Sequence, residues 1–254
     1  MRIVGLLAWY DEAPSWLATA VAGFGRVCDE IVAVDGAYSL YPGGRARSLP
    51  DQAEAILAAG EAAGVGITLH RPATTFAGQE VEKRNLTLGL AAPFVDEGDW
   101  LLVFDADMHV MQAYPDIIRR DLAETNAVVA TYTILDGADM LAEPERADLA
   151  RRLPVSTDWT NKFRGIYRAL DGLAYGPTHF SVSGWRDHFH EERVWLRGAK
   201  PDAIAEPAHL GKALVVHHRR AARAKVRTDA ADVYAVSRTA AGYEDTADKE
   251  MLVA

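Results

Sequence analysis

The stretch DWLLVFDADMHV, residues 99–110, decides how the chain is read. Trp100 to Phe104 is a continuous apolar run, the pattern of a strand buried on both faces, and it ends in two aspartates separated only by Ala106. Gly, Asn or Ser would serve a strand that merely turned back into water. Two like charges this close repel unless a cation holds them. In extended backbone residues i and i+2 point the same way, so Asp105 and Asp107 are expected to share a divalent ion while Ala106 faces the other side. Oxygen ligands suit Mg²⁺ or Mn²⁺, and such an ion completes its shell with water and substrate phosphates. An isolated Asp-x-Asp is more often a pair of solvated loop residues; the place of this one, after three earlier strands, gives it weight.

Outward from that strand, short β-rich runs alternate with helical patterns, the signature of a parallel sheet with crossover helices. RIVGLLAW (2–9), EIVAVDG (30–36) and GITLHRP (66–72) read as the three preceding strands, and AVVATYTIL (127–135) as a following one. Helices are expected over 13–24, 51–64, 78–94 and 115–125, with Pro14 and Pro115 suited to first turns. Residues 36–50, rich in Gly, Pro and Ser, read as a long loop. Beyond Leu135 the rhythm changes. Residues 136–154 read as an inserted helix or loop, 161–182 as a hairpin or pair of strands with Leu170-Asp-Gly172 as the turn, and 212–218 as a last strand. Residues 219–238 read as a basic C-terminal helix. No repeat or separating linker is visible, so one α/β domain over 1–254 is expected.

Composition bounds the partners. The 254 residues are 49% hydrophobic and 25% charged, ordinary for a globular chain with a sizeable core. A formal net charge of −9 argues against a nucleic-acid binder, which needs a basic face. Cys28 is the only cysteine, which excludes an internal disulfide and points to a reducing, cytoplasmic setting. The N-terminal apolar stretch is too short, and too soon acidic, for a signal peptide or membrane span.

Ligands of an open parallel sheet sit beyond the carboxyl ends of its strands. Tyr10 to Glu12, Asp35, and Asp105 with Asp107 all fall there. The order RIVGLLAWYDE, EIVAVDGAYS, EKRNLTLGLA, DWLLVFDADMHV resembles the nucleotide-sugar-dependent glycosyltransferases of the GT-A fold, particularly the large family-2-like group. The resemblance implies a Rossmann-like, mostly parallel central sheet flanked by helices, with a nucleotide-sugar-binding half (1–110) and an acceptor half (111–254). It implies transfer of a sugar from a nucleoside-diphosphate sugar to an acceptor, with Mn²⁺ or Mg²⁺.

Residue by residue, the resemblance implies that the strand-one end, Ala8 with Tyr10 and Glu12, and Asp35 hold the nucleoside. Arg84, followed by Asn85, lies beside the donor, with Lys83 pointing elsewhere; both cations on a solvated helix face is the plainer alternative. Asp107 is the main metal ligand, Asp105 binds directly or through water and can meet the ribose, and His217 completes the metal site. On the acceptor side, Asp187 and Glu191 are joint candidates for a general base, and His179 follows the 161–175 stretch. His179 is followed by Phe180 where one branch of the family has a glutamate. Arg223 or Lys225 is a candidate diphosphate clamp, and Trp185 and Trp195 a candidate sugar-stacking wall. Two other readings stand beside this one. A catalytically silent nucleotide- or glycan-binding module would keep the fold without turnover, and a haloacid-dehalogenase-type phosphatase shares an apolar strand ending in Asp-x-Asp.

Overall fold

A computed structural model of the chain describes residues 1–37, 45–76, 80–106, 108–110, 114–136, 160–175, 194–196 and 208–217. Among these, β1 (Ile3–Ala8), β2 (Glu30–Val34), β3 (Gly66–His70) and β4 (Trp100–Phe104) alternate with α1 (Pro14–Phe24), α2 (Pro50–Ala63) and α3 (Glu80–Ala91). After β4 come β5 (Met108–Val110), α4 (Pro115–Glu124), β6 (Val129–Asp136), β7 (Thr160–Arg168), β8 (Leu173–Tyr175), β9 (Val194–Leu196) and β10 (Ala208–His217). Eight strands form one sheet in the order β3-β2-β1-β4-β7-β6-β10-β5, and β8 and β9 form a separate antiparallel pair. β7 and β5 run against the other six strands of that sheet, so the expected mostly parallel α/β architecture is what is found.

Strand alternation explains why the sheet is covered on both sides. In β1 and β4, Ile3, Leu7, Trp100, Leu102 and Phe104 join one core with Leu17, Val21 and Phe24 of α1, Ile56 of α2 and Ile118 of α4. Val4, Leu6, Leu101 and Val103 join the other, under Leu86, Leu88 and Leu90 of α3. Period-2 side chains thus serve two layers at once, which is why these strands read as unbroken apolar runs. Phe24 stacks on Phe104 with ring centroids 4.1 Å apart, pinning α1 over the strand that carries the aspartates. Burying one such side chain contributes about 1.5–3 kcal/mol. Pro14 and Pro50 open α1 and α2, and Gly64, at φ 71°, ends α2 in the left-handed conformation that glycine adopts freely.

The structure departs from the sequence reading at several places. The backbone N–H of Met108 donates to the Asp105 carbonyl (3.1 Å), so β4 ends at Phe104 and the chain turns within the Asp-x-Asp stretch. Asp105 therefore stands just past the extended strand. Of the hairpin or pair of strands read over 161–182, the pair is what is found among the described residues: β7 and β8 flank the turn at Leu170–Gly172, but β7 is inserted between β4 and β6 and β8 pairs with β9. Val194–Leu196 is a strand in a stretch to which the sequence reading assigned no element. The basic C-terminal helix and the rest of the 136–154 insertion lie outside the described residues.

Candidate functional site

β1, β2 and β4 are adjacent and parallel, so their carboxyl ends open on one crevice, bordered by the starts of α2 and α3. Ala8 ends β1 opposite Val34 of β2. The next residues are held from across the crevice: the Asp11 N–H donates to Ser48 Oγ (2.9 Å) and the Glu12 N–H to Gln52 Oε1 (3.1 Å). Asp11 has φ 52°, a left-handed conformation uncommon for a residue other than glycine.

Asp35 is fully buried, and its carboxylate is met from four directions. Oδ1 accepts from the Gly36 N–H (2.7 Å) and the Ser48 hydroxyl (2.6 Å), and Oδ2 from the Ser48 N–H (2.9 Å) and Arg71 Nε (3.2 Å). A carboxylate has about four lone-pair positions, so these protein donors occupy its hydrogen-bonding capacity. Arg71 also reaches the Ser48 carbonyl (2.5 Å). Asp35 thereby fixes Ser48, and Ser48 in turn fixes Asp11. Gly36 sits at φ 124°, and a Cβ there would come within 2.6 Å of Pro72 and 2.7 Å of Phe76, so this turn requires glycine.

Charge is concentrated along the crevice. Arg45 Nη2 pairs with Asp11 Oδ1 (3.0 Å). Burial pushes the Asp11 carboxyl above the ordinary carboxylate range, with Arg45 and a hydrogen bond from Gln52 opposing and the Asp35 charge adding to it. Burial and the Asp11 charge raise Tyr10 likewise. A folded-state value above the unfolded one means that Asp11 favours the fold fully below the ordinary carboxylate range. That contribution is lost as pH rises through the folded value. Asp11→Asn keeps a side chain that tolerates left-handed backbone. The stability of wild type minus that of this variant is therefore expected to fall as urea denaturation is repeated from roughly pH 4 to pH 7. A difference that grows over that range would show that Arg45 outweighs burial.

At the end of β4, Arg84 Nη2 pairs with Asp105 Oδ1 (3.1 Å); the arginine side chain is 6% exposed and the aspartate 32%. Arg84 and Lys83 are both buried, which excludes the solvated-face alternative. Asn85 instead braces β8, donating to the Tyr175 carbonyl (3.1 Å) and accepting from its N–H (2.7 Å). The register of β10 on β5 sets His217 opposite Met108, and its register on β6 sets His217 beside Asp136. The chain thus brings residue 217 to the aspartate turn across more than a hundred residues.

A half-open carboxylate at that turn has the oxygen chemistry of a Mg²⁺ or Mn²⁺ ligand. Among the described residues, no group of three or more His, Cys, Asp or Glu side chains could by itself hold a metal. Asp107, His179, Trp185, Asp187, Glu191, Arg223 and Lys225 lie outside the described residues, as do the side chains of His217 and Trp195. Sequence reasoning missed Ser48, Gln52, Arg71 and the buried position of Lys83. A Ser at the end of the Gly/Pro loop and an Arg directly after the third strand were the available signals.

No family model matches the chain, and no curated protein matches it. Solved structures do. The S. aureus TarS structure is 12% identical with a TM-score of 0.51, the match covering 100% of this chain and 42% of that one. A structure of S. aureus TarS 1-349 in complex with UDP-GlcNAc is 13% identical with a TM-score of 0.51, over 99% of this chain and 70% of that one. The chain therefore spans less than half of the longer TarS chain. What this likeness shows is the fold: the chain has an α/β, Rossmann-like architecture similar to that of a glycosyltransferase structure.

Proposed function

We propose that the chain transfers a sugar from a nucleoside-diphosphate sugar to an acceptor nucleophile, with a divalent cation at the aspartate turn. The observation that carries this reading is the crevice at the carboxyl ends of β1, β2 and β4, with buried Arg84 paired to the partly exposed Asp105 at its β4 side. The similar TarS fold, in a structure containing UDP-GlcNAc, supports a nucleotide sugar as the donor class. A phosphatase of the haloacid-dehalogenase type fits less well, because its aspartates normally close the first strand and here they follow the fourth.

In this reading the nucleoside lies against Ala8, Tyr10 and Glu12, on the platform that Asp35 braces through Ser48. Asp105, Asp107 and His217 would hold Mn²⁺ or Mg²⁺. When bound, the ion offsets the charge that develops on the departing diphosphate. Arg84 is already oriented by Asp105, so its guanidinium needs little reorganisation to face an anionic group. Asp187 or Glu191 would take the acceptor proton, His179 would serve the acceptor side, and Arg223 or Lys225 would close on the diphosphate. Among the described residues no helix is long and apolar enough to cross a membrane, and the lone Cys28 supports action in the cytoplasm.

The test is release of nucleoside diphosphate from a panel of UDP-, GDP-, dTDP-, CDP- and ADP-sugars over a long incubation, with Mn²⁺ or with EDTA. Metal-dependent release from one base class is expected, because water slowly replaces the missing acceptor. Binding of a nucleotide sugar without release, even with mixed acceptors present, would instead identify a catalytically silent binding module.

A further inference from the structure

Lys83 stands directly before Arg84 on α3, where the sequence alone gives no reason to expect a buried lysine. Its side chain is 1% exposed. Nζ donates to the Trp9 carbonyl just past β1 (2.5 Å) and to the Gly36 carbonyl just past β2 (2.8 Å), with the Phe76 ring centroid 5.9 Å away. Removing an ammonium from water is costly, so a buried one persists where its hydrogen bonds are well met. These two acceptors belong to different strands. The Trp9 N–H to Val34 carbonyl bond (3.1 Å) is the last described rung joining β1 to β2, and beyond it the strands part. The ammonium bridges them at that point. An apolar side chain of similar length would fill the space but leave both carbonyls without this donor.

We propose that Lys83 is a positioning residue whose buried ammonium ties the ends of β1 and β2 together and so sets the crevice between them. Its effect on a nucleotide rests on the functional reading above; the tie itself does not. The tie acts on the shape of the crevice floor, so it should be felt by the nucleoside as strongly as by the diphosphate.

Two measurements on the full chain carrying Lys83→Met test this. The first is amide hydrogen exchange without ligand. Faster exchange confined to the backbone near residues 9–12, 35–37 and 45–48 is expected, with protection elsewhere in the sheet retained. Unchanged exchange at these positions, or a uniform rise across the sheet, would overturn the proposal. The second is titration, with Mn²⁺, of UDP, GDP, dTDP, CDP and ADP and of the parent nucleosides. Affinity for the nucleoside diphosphate that binds wild type, and for its nucleoside, is expected to weaken equally, by about tenfold or more. Weakening for the diphosphate alone would mean that Lys83 acts by charge, and would overturn the positioning role. A wild-type protein that binds none of these refutes the nucleotide reading, and the exchange result then decides the tie by itself. Lys83→Gln, which keeps an amide donor, is read by the same exchange measurement if the methionine variant does not fold.

Discussion

Asp35→Ala is expected to lower the free energy of unfolding by about 3–5 kcal/mol, the range seen when one partner of a buried charged pair is removed. The truncation strands the Gly36 N–H, the Ser48 N–H, the Ser48 hydroxyl and Arg71 Nε, at a site with no exposure to water. Arg71 is partly exposed and can turn outward, but the two amides cannot. Asp35→Asn should recover little, since an amide that accepts from Gly36 and the Ser48 hydroxyl turns its NH₂ toward two other donors. Urea denaturation at neutral pH measures both variants. An alanine variant within about 1 kcal/mol of wild type would mean that the network does not brace the crevice.

Asp107→Ala is expected to reduce metal-dependent turnover of the nucleotide sugar by at least about a hundredfold, the scale on which single electrostatic groups act in transition states. Its melting temperature should stay near that of wild type. Asp105→Ala should differ in kind. It removes the partner of the buried Arg84 guanidinium, so it should lose stability as well as turnover, by about 1–3 kcal/mol after allowing for the partial exposure of the carboxylate. Release of nucleoside diphosphate and thermal denaturation, measured on both variants, separate the two roles. Full turnover by Asp107→Ala would remove the metal from the account.

The elements legible in the sequence are those whose pattern reports local physics. β1, β2 and β4 are covered on both faces, so apart from Glu30 their composition is apolar, and Pro14 and Pro115 mark the helices they open. The parallel run of β1 to β4 was legible from βα alternation, but their order β3-β2-β1-β4 was not. β7 did not follow, because its insertion between β4 and β6 depends on pairing with residues 25 to 68 positions away. β5 and β9 were missed because three residues carry no period. Asp35 was legible as important, but its four protein donors depend on the fold of residues 45–48 and on Arg71, which no local pattern predicts. Lys83 was legible only as pointing elsewhere than Arg84, because the backbone carbonyls that bury it belong to distant parts of the chain.

The most direct test of the central claim is a thermal-shift titration of wild-type protein with UDP, GDP, dTDP, CDP and ADP and their sugar conjugates, each with and without Mn²⁺. A ligand selective for the folded chain raises its melting temperature, by an amount that grows with concentration. A single base class that stabilises the protein with Mn²⁺ far more than without it, and no longer does so in Asp107→Ala, is the predicted result. No shift from any nucleotide at millimolar concentration, with or without the metal, would contradict the account.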